Sequence, residues 1–163
     1  MTPTRRSAAW LYGAAAGALL LDRVTKLWAE HTLAGRPPLR VVPGVLSLTY
    51  TTNSGGAFGI GRSAPWLFAA ATLAVAAIVI GVSFRPRSVP VAVALGLVLG
   101  GGLGNLTDRA LNGDGFLSGR VTDFIDLHVW PVFNLADSAI VVGALLLGIA
   151  TAIHDQRQGS RRT

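Results

Sequence analysis

The run WLFAAATLAVAAIVIGVSF at residues 66–84, followed after a short basic loop by VPVAVALGLVLGGGLGNL at residues 89–106, decides the fold class. Neither run contains a charged side chain, and each approaches the roughly 20 residues that a helix needs to cross about 30 Å of hydrocarbon. Two further uncharged apolar runs cover residues 8–21 and 138–153. The sequence therefore predicts an α-helical integral membrane protein with four transmembrane helices. Their predicted spans are residues 8–29, 66–84, 89–108 and 134–153.

The composition supports a single membrane domain over residues 1–163. Of the 163 residues, 51% are hydrophobic and 13% are charged, and the mean hydropathy is +0.52, which is too apolar for an ordinary soluble domain. Two outer segments, residues 30–65 and 109–133, are predicted to join the spans. The chain contains no cysteine, which excludes disulfides, thiolate catalysis and thiolate metal sites.

The charge distribution predicts which side of the membrane is cytoplasmic. An even number of spans places both termini on one side, where seven arginines are opposed only by Asp155. These arginines are Arg5, Arg6, Arg85, Arg87, Arg157, Arg161 and Arg162. On the other side acids and bases balance, so the formal net charge of +6 belongs to the inner face, and both termini are predicted to be cytoplasmic. No long basic run with interleaved aromatic residues is present, so no nucleic-acid partner is expected.

The two outer segments contain local structure signals. VLSLTYTT at residues 45–52 alternates apolar and polar side chains and leads into NSGG at residues 53–56, which predicts a short strand ending in a glycine-rich turn. The second segment has a turn signal, NGDG, at residues 112–115. It then carries Asp123, Asp126 and His128.

Four carboxylates are predicted to meet near the outer membrane boundary. The helical rise of about 1.5 Å per residue places Asp22, Asp108 and Asp137 roughly 24–30 Å above the inner charges. Asp123, in the loop that re-enters toward the fourth helix, can reach the same level. Ionisable side chains at this depth usually pair, line a wet cavity or do chemistry, so Asp123 and Asp137 are the leading functional candidates.

Two motifs, one in the first helix and one in the third, also have purely structural interpretations. Asp22 and Lys26 have the i, i+4 spacing of an intrahelical salt bridge. Asn105 and Asp108 share a helix face, and Arg109 follows, an arrangement also typical of a helix end with an arginine that reaches the headgroups.

The remaining motifs have structural alternatives as well. Asn134 is a candidate N-cap, with Asp137 as a first-turn acid favoured by the helix dipole. The NSGG string is typical of a hairpin end. A lone histidine such as His128 is more often interfacial or capping than a ligand.

Taken together and in order, five strings resemble the signal peptidase II family, the lipoprotein signal peptidases, which are bacterial inner-membrane aspartic proteases. The strings are DRVTK at residues 22–26, NSGGAF at 53–58, GNLTDR at 104–109, VTDF at 121–124 and NLAD at 134–137. The match covers nearly the whole chain. The sequence departs from the family pattern at Gly56, where alanine is common, and in residues 110–120, which are several residues longer than usual.

The resemblance implies that Asp123 and Asp137 are the catalytic pair. The implied substrate-binding or supporting residues are Asp22, Lys26, Asn53, Gly56, Asn105, Asp108, Arg109 and Asn134. The family cuts a prolipoprotein on the amino side of a cysteine that already carries diacylglycerol, and releases the signal peptide.

The resemblance also implies a location, a fold detail and a set of partners. It implies an active site on the extracytoplasmic side of the bacterial cytoplasmic (inner) membrane, a small extracytoplasmic sheet and a flap over the site. The expected partners are the lipid-modified prolipoprotein and membrane lipids. A monomer without metal or cofactor is expected.

Two carboxylates a few Å apart cannot both ionise cheaply, so they would share one proton and act as general acid and general base on an attacking water. Two other function classes are open. Clustered acids also build proton relays in small proton-coupled transporters or channels, although no ionisable residue lies at the midplane of spans two to four. In a non-enzymatic assembly protein, by contrast, the polar residues would serve only to hold the helices together through hydrogen bonds.

Overall fold

The computed structural model describes residues 2–55, 66–85, 87–113, 115 and 117–159, with the side chains of 154–159 excepted. This part of the chain forms four helices and three strands. In chain order they are α1 (Pro3–Leu33), β1 (Leu39–Val42), β2 (Leu46–Asn53), α2 (Trp66–Ser83), α3 (Val89–Leu111), β3 (Val121–Asp126) and α4 (Leu135–Gly159). The four-helix architecture and the small sheet are confirmed. Helices α1 and α4 extend beyond the predicted spans, because apolar composition marks only the part of a helix that hydrocarbon would surround.

Three described helices are long and apolar enough to cross a membrane, judged by length and composition. They cover residues 66–83, 89–111 and 135–153. The first helix is also long enough, but Arg5 and Arg6 near its start and Asp22, Arg23 and Lys26 toward its end make it less apolar. The membrane span assigned to α1 and the cytoplasmic location of both termini therefore stay predictions.

Glycines on α3 bring its backbone into direct contact with its neighbours. A Cβ atom at Gly100 would lie 2.3 Å from the carbonyl oxygen of Ala15 in α1, and Gly96 is equally tight against α1 one turn earlier. On another face, a Cβ atom at Gly101 would lie 2.4 Å from the carbonyl oxygen of Ala136 in α4. Small residues permit this close approach between helices in lipid, so α3 lies between α1 and α4.

The three strands form an antiparallel sheet in the order β1-β2-β3. The strand predicted at residues 45–52 is confirmed as β2. The prediction that Asp123 lies in a loop is wrong, since Asp123 is on β3, opposite Thr51 of β2. The alternation that marks a strand is absent from residues 121–124 because all four are buried, so both faces of this strand are covered.

Apolar contacts fix the sheet against the C-terminal end of α1. The rings of Trp28 and Phe124 meet edge to face, with centroids 6.4 Å apart. Phe124 also belongs to a buried cluster with Ala29 and Leu33 of α1. The neighbour of Phe124 on β3 is Asp123, so this packing holds Asp123 beside the C-terminal end of α1.

Candidate active site

Lys26 is the centre of a buried ionic network between α1 and α3. Its Nζ lies 2.8 Å from Asp22 Oδ2 and 2.9 Å from Asp108 Oδ2, and it donates to Asn105 Oδ1 at 2.9 Å. Arg23 pairs with the other carboxylate oxygen of Asp108. The predicted intrahelical pair is therefore present, and it extends to α3. Two cations face two carboxylates, which is the balance that buried charges need.

The same two carboxylates hold the segments that carry the candidate catalytic acids. Asp22 Oδ1 accepts a hydrogen bond of 2.9 Å from the backbone N–H of Ala136, in the first turn of α4. Asp108 Oδ2 accepts one of 3.1 Å from the backbone N–H of Thr122, on β3. Asp22 and Asp108 thus connect the bundle to the residues next to Asp137 and Asp123.

Asn134 joins the two candidate catalytic acids. Its Oδ1 accepts from the N–H of Asp137 at 2.9 Å, and Asp137 Oδ2 accepts from the N–H of Asn134 at 3.3 Å, so the pair caps the start of α4 reciprocally. Its Nδ2 donates to Asp123 Oδ1 at 2.7 Å and to the carbonyl oxygen of Thr122 at 3.2 Å. The side chain is fully buried. Asn134 therefore both caps α4 and helps to form the site, so the two interpretations of this residue are not alternatives.

Asn105 connects the ionic network to Asp137. Its Nδ2 donates to Asp137 Oδ1 at 2.8 Å, while its Oδ1 accepts from Lys26 and, at 3.2 Å, from Asn134 Nδ2. Because Lys26 can only donate, it fixes which way the amide of Asn105 points. Asp137 is consequently held by two N–H donors, one from Asn105 and one from the backbone of Asn134.

Asp123 is poised to hold a proton near neutral pH. The residue is 3% exposed, and this burial, together with the negative charge of Asp137, raises its pKa from 3.8 to about 7. Hydrogen bonds from Asn134 and Asn53 and the charge of Lys26 oppose that rise in pKa without cancelling it. A carboxyl group with a pKa near the working pH, in a cavity with a second acid, is typical of general acid–base catalysis.

Arg109 and Asn53 shape the turn after β2. Arg109 Nη2 donates to the carbonyl oxygen of Gly55 at 2.8 Å, and its guanidinium lies over the ring of Phe68 at 5.3 Å from the centroid. Arg109 is buried, so the alternative in which it reaches the headgroups is wrong. Asn53 Oδ1 accepts from the N–H of Gly55 at 2.9 Å. The predicted site residue Gly56 lies outside the described residues.

Both acids line one cavity of about 460 Å³. Its polar end consists of Asn53, Asn105, Arg109, Asp123 and Asp137. Its remaining walls are mainly apolar side chains from α2, α3, α4 and residues 130–133, among them Phe68, Val75, Val98, Ile140, Val141 and Phe133. A cavity with a few convergent polar groups and long apolar walls fits a ligand that has one polar reacting group and a large apolar part.

The predicted site residues thus divide into two groups. Five line the cavity, and Asp22, Lys26, Asp108 and Asn134 lie behind them as supports. His128 is in neither group, because its side chain contacts Ser47 and Asp126. Within the described ranges, no group of three or more histidine, aspartate or glutamate residues is arranged to hold a metal ion. The backbone N–H groups of Thr122 and Ala136 were missed, since no sequence signal distinguishes them from other backbone groups.

Comparisons with known proteins identify a family for the chain. Residues 14–153 match the family model for signal peptidase (SPase) II. The lipoprotein signal peptidase of Syntrophomonas wolfei is 41% identical over 141 residues, which cover 86% of this chain and 91% of that protein. The lipoprotein signal peptidase of Rhodococcus jostii is 38% identical over 144 residues, covering 88% of this chain and 73% of that protein.

Two solved structures have a similar fold. One is a bacterial membrane enzyme determined by the in meso method at 2.3 Å resolution, with a TM-score of 0.78, 29% identity and coverage of 88% of each chain. The other is a bacterial membrane enzyme determined by the same method at 1.9 Å resolution. It has a TM-score of 0.71 and 30% identity, and covers 85% of this chain and 89% of that one. The similarity therefore extends over most of the helical bundle.

Proposed function

The chain belongs to the signal peptidase II family, and on that basis we propose that it removes signal peptides from prolipoproteins as an aspartic endopeptidase. Asn134 is the main support for the catalytic pair, because its side chain contacts both Asp123 and the first turn of α4 that carries Asp137. The two acids lie at the polar end of a cavity with apolar walls. The substrate bond is the one before a cysteine that carries diacylglycerol.

The two acids share one proton and exchange roles during the reaction. Asp123, with its pKa raised to about 7, holds the proton at rest, and Asp137 is the base. Asp137 takes a proton from a water that attacks the scissile carbonyl carbon, while Asp123 gives its proton to the carbonyl oxygen. As the tetrahedral intermediate collapses, the C–N bond breaks, Asp137 returns a proton to the leaving amine and Asp123 recovers its own.

The supporting residues keep the base in position. The amide of Asn105 and the backbone N–H of Asn134 each donate to Asp137, so the carboxylate cannot rotate without losing a hydrogen bond. Lys26 fixes the amide of Asn105 from behind. These contacts hold Asp137 ready before the substrate arrives, which is the condition for efficient proton transfer.

The apolar walls suit a substrate that arrives from lipid. The acyl chains and the apolar side chains of a signal peptide would leave lipid and pack against the cavity walls from α2, α3 and α4. The peptide bond would then reach the polar end of the cavity. We place this polar end on the extracytoplasmic side of the bacterial cytoplasmic membrane, with four spans and both termini in the cytoplasm. Membrane lipids and the lipid-modified prolipoprotein are the proposed partners of a monomeric enzyme.

The decisive experiment compares two precursors in liposomes that contain the purified protein. One precursor carries diacylglycerol on its cysteine and the other does not; only the modified one should be cut, before the cysteine. The activity of D123N and of D137N should each be lower by about a hundredfold to ten-thousandfold, the range for losing a general acid or base. E30Q, a change at an exposed acid toward the outer end of α1, is the matched control and should retain activity. Full turnover by D123N or D137N would refute the catalytic assignment.

A further inference from the structure

A polar cluster lies on the sheet outside the site described above. His128 Nε2 lies 3.2 Å from Ser47 Oγ on β2, and His128 Nδ1 lies 3.5 Å from Asp126 Oδ2 at the end of β3. Ser47 and Asp126 are directly opposite each other in the register of β2 and β3. The proposed reaction uses none of these three side chains.

The cluster contains the residue types of a Ser-His-Asp hydrolase, but it is not a second catalytic centre. Ser47 is only 3% exposed, so no external substrate can reach its hydroxyl group. The imidazole instead connects two strands at the point where the chain leaves the sheet. The cluster is therefore built to hold a backbone conformation.

That conformation is a strained reversal at His128. The residue has φ 61°, a left-handed value that is uncommon for residues other than glycine, although asparagine, aspartate and histidine adopt it more often than the rest. Its backbone N–H donates to Asp126 Oδ1 at 2.7 Å, which closes the turn. Such strain persists only where surrounding contacts fix it, and the contacts of the imidazole with Ser47 and Asp126 supply them here.

The reversal determines where the next segment lies. After it, the chain runs back along β3, and Phe133 exchanges backbone hydrogen bonds of 2.8 and 3.0 Å with Ile125. Residues 130–133 consequently form one wall of the cavity, with Trp130 at the start of this wall. The turn thus lies between Asp123 and the cavity wall that the same chain builds.

We propose that His128 is a positioning residue, whose imidazole connects Ser47 to Asp126 and so fixes residues 130–133 as the substrate-binding wall of the cavity. The inference rests on the proposed function only for the identity of the substrate. The wall is apolar, and the backbone hydrogen bonds between Phe133 and Ile125 separate it from Asn134, whose N–H holds Asp137. Loss of the connection should therefore weaken substrate binding more than it slows the chemical step.

Kinetics on two single variants, their double variant and a control variant test the proposal. H128G relieves the backbone strain but removes the imidazole, and S47A removes the same contact from β2 without altering the turn. Each should raise KM about two- to tenfold, the range for one neutral hydrogen bond, with kcat within about twofold of the wild type. The double variant should be no worse than H128G, since both changes remove one connection. V129T changes a 90% exposed neighbour that does not line the cavity, and should leave both constants unchanged.

A measurement that does not use activity separates this inference from the proposed function. In protein labelled with fluorotryptophan, the fluorine NMR resonance of Trp130 reports on the wall. This resonance is assigned as the one that is absent from the spectrum of W130F. It should shift or broaden in H128G and S47A but not in V129T, whatever the substrate is. An unchanged resonance and unchanged KM in S47A would overturn the proposal, as would a loss of kcat without a change in KM. If H128G fails to fold, S47A gives the same decision alone.

Discussion

Replacement of Asp123 by asparagine should abolish activity and at the same time stabilise the protein at alkaline pH. The carboxyl group is buried against Asp137, and its pKa is raised from 3.8 to about 7. In the unfolded chain the group ionises near its ordinary pKa. Between about pH 4 and pH 7 the folded state therefore binds a proton that the unfolded state releases, and stability falls as the pH rises.

The size of this effect follows from the pKa difference. A difference between 3.8 and about 7 corresponds to about 4 kcal/mol, all of it lost by the wild type above about pH 7. An asparagine avoids this loss because it does not ionise. For a chain of this length the gain at pH 8 amounts to an unfolding midpoint higher by on the order of ten degrees. At pH 4, close to the ordinary pKa of 3.8, the unfolded chain has released only part of this proton, so the difference should fall below about 1 kcal/mol.

Thermal unfolding in detergent, followed at pH 4 and pH 8, measures the effect. E30Q is the control, since Glu30 is exposed and its replacement should leave the midpoint nearly unchanged at both values of pH. If D123N gains nothing at pH 8, or gains as much at pH 4, the reasoning from burial of this carboxyl group is wrong. Cleavage at the wild-type rate by D123N would separately refute its catalytic role.

Three further predictions concern pH, charge and packing. First, kcat/KM should fall about tenfold per pH unit above about pH 7, as Asp123 with its pKa of about 7 loses the proton it donates; a profile that is flat to pH 9 in liposomes would contradict this. Second, K26M leaves Asp22 without a cation and Asp108 with Arg23 alone, so it should cost about 3–5 kcal/mol of unfolding free energy in detergent. The added change D22N should restore part of this loss, and a stable K26M would show that Lys26 is not a buried counter-ion. Third, G100A forces a Cβ atom to 2.3 Å from a carbonyl oxygen of α1 and should lower the free energy of unfolding by about 1–3 kcal/mol, whereas G17A, with open space around it, should raise it by about 0.5–1 kcal/mol. Equal unfolding midpoints for the two variants would exclude backbone contact between α1 and α3.

The ionisable residues of the candidate site could be predicted from the sequence because charge in an apolar chain is conspicuous. Asp22 and Lys26 interrupt the end of an apolar helix, and their spacing already predicts the contact that the structure shows. Asn134 and Asp137 carry a capping pattern that is equally visible, and the capping geometry is confirmed. That Asn134 also donates to Asp123 depends on the sheet and could not be derived from spacing.

The contacts made through the backbone could not be predicted. Asp108 binds the N–H of Thr122, and the carbonyl oxygen of Ala15 lies against Gly100, but every residue except proline offers the same N–H group and carbonyl oxygen. The strand β3 was missed for a related reason. Burial on both of its faces removes the alternation by which a strand with one wet face is recognised.

The distant partners of Lys26 have a consequence for the biosynthesis of the protein. Asn105 accepts a hydrogen bond from the ammonium group of Lys26 but follows it by 79 residues in the chain. The ribosome therefore completes α1, the least apolar of the four helices, well before it makes Asn105 on α3. Until then the nascent helix has only Asp22 as a counter-ion, and such a pair is costly to leave in hydrocarbon. If α1 is a membrane span, we therefore expect the growing first helix to stay at the lipid interface or within the insertion machinery until the third helix arrives, so that the late helix completes the integration of the early one.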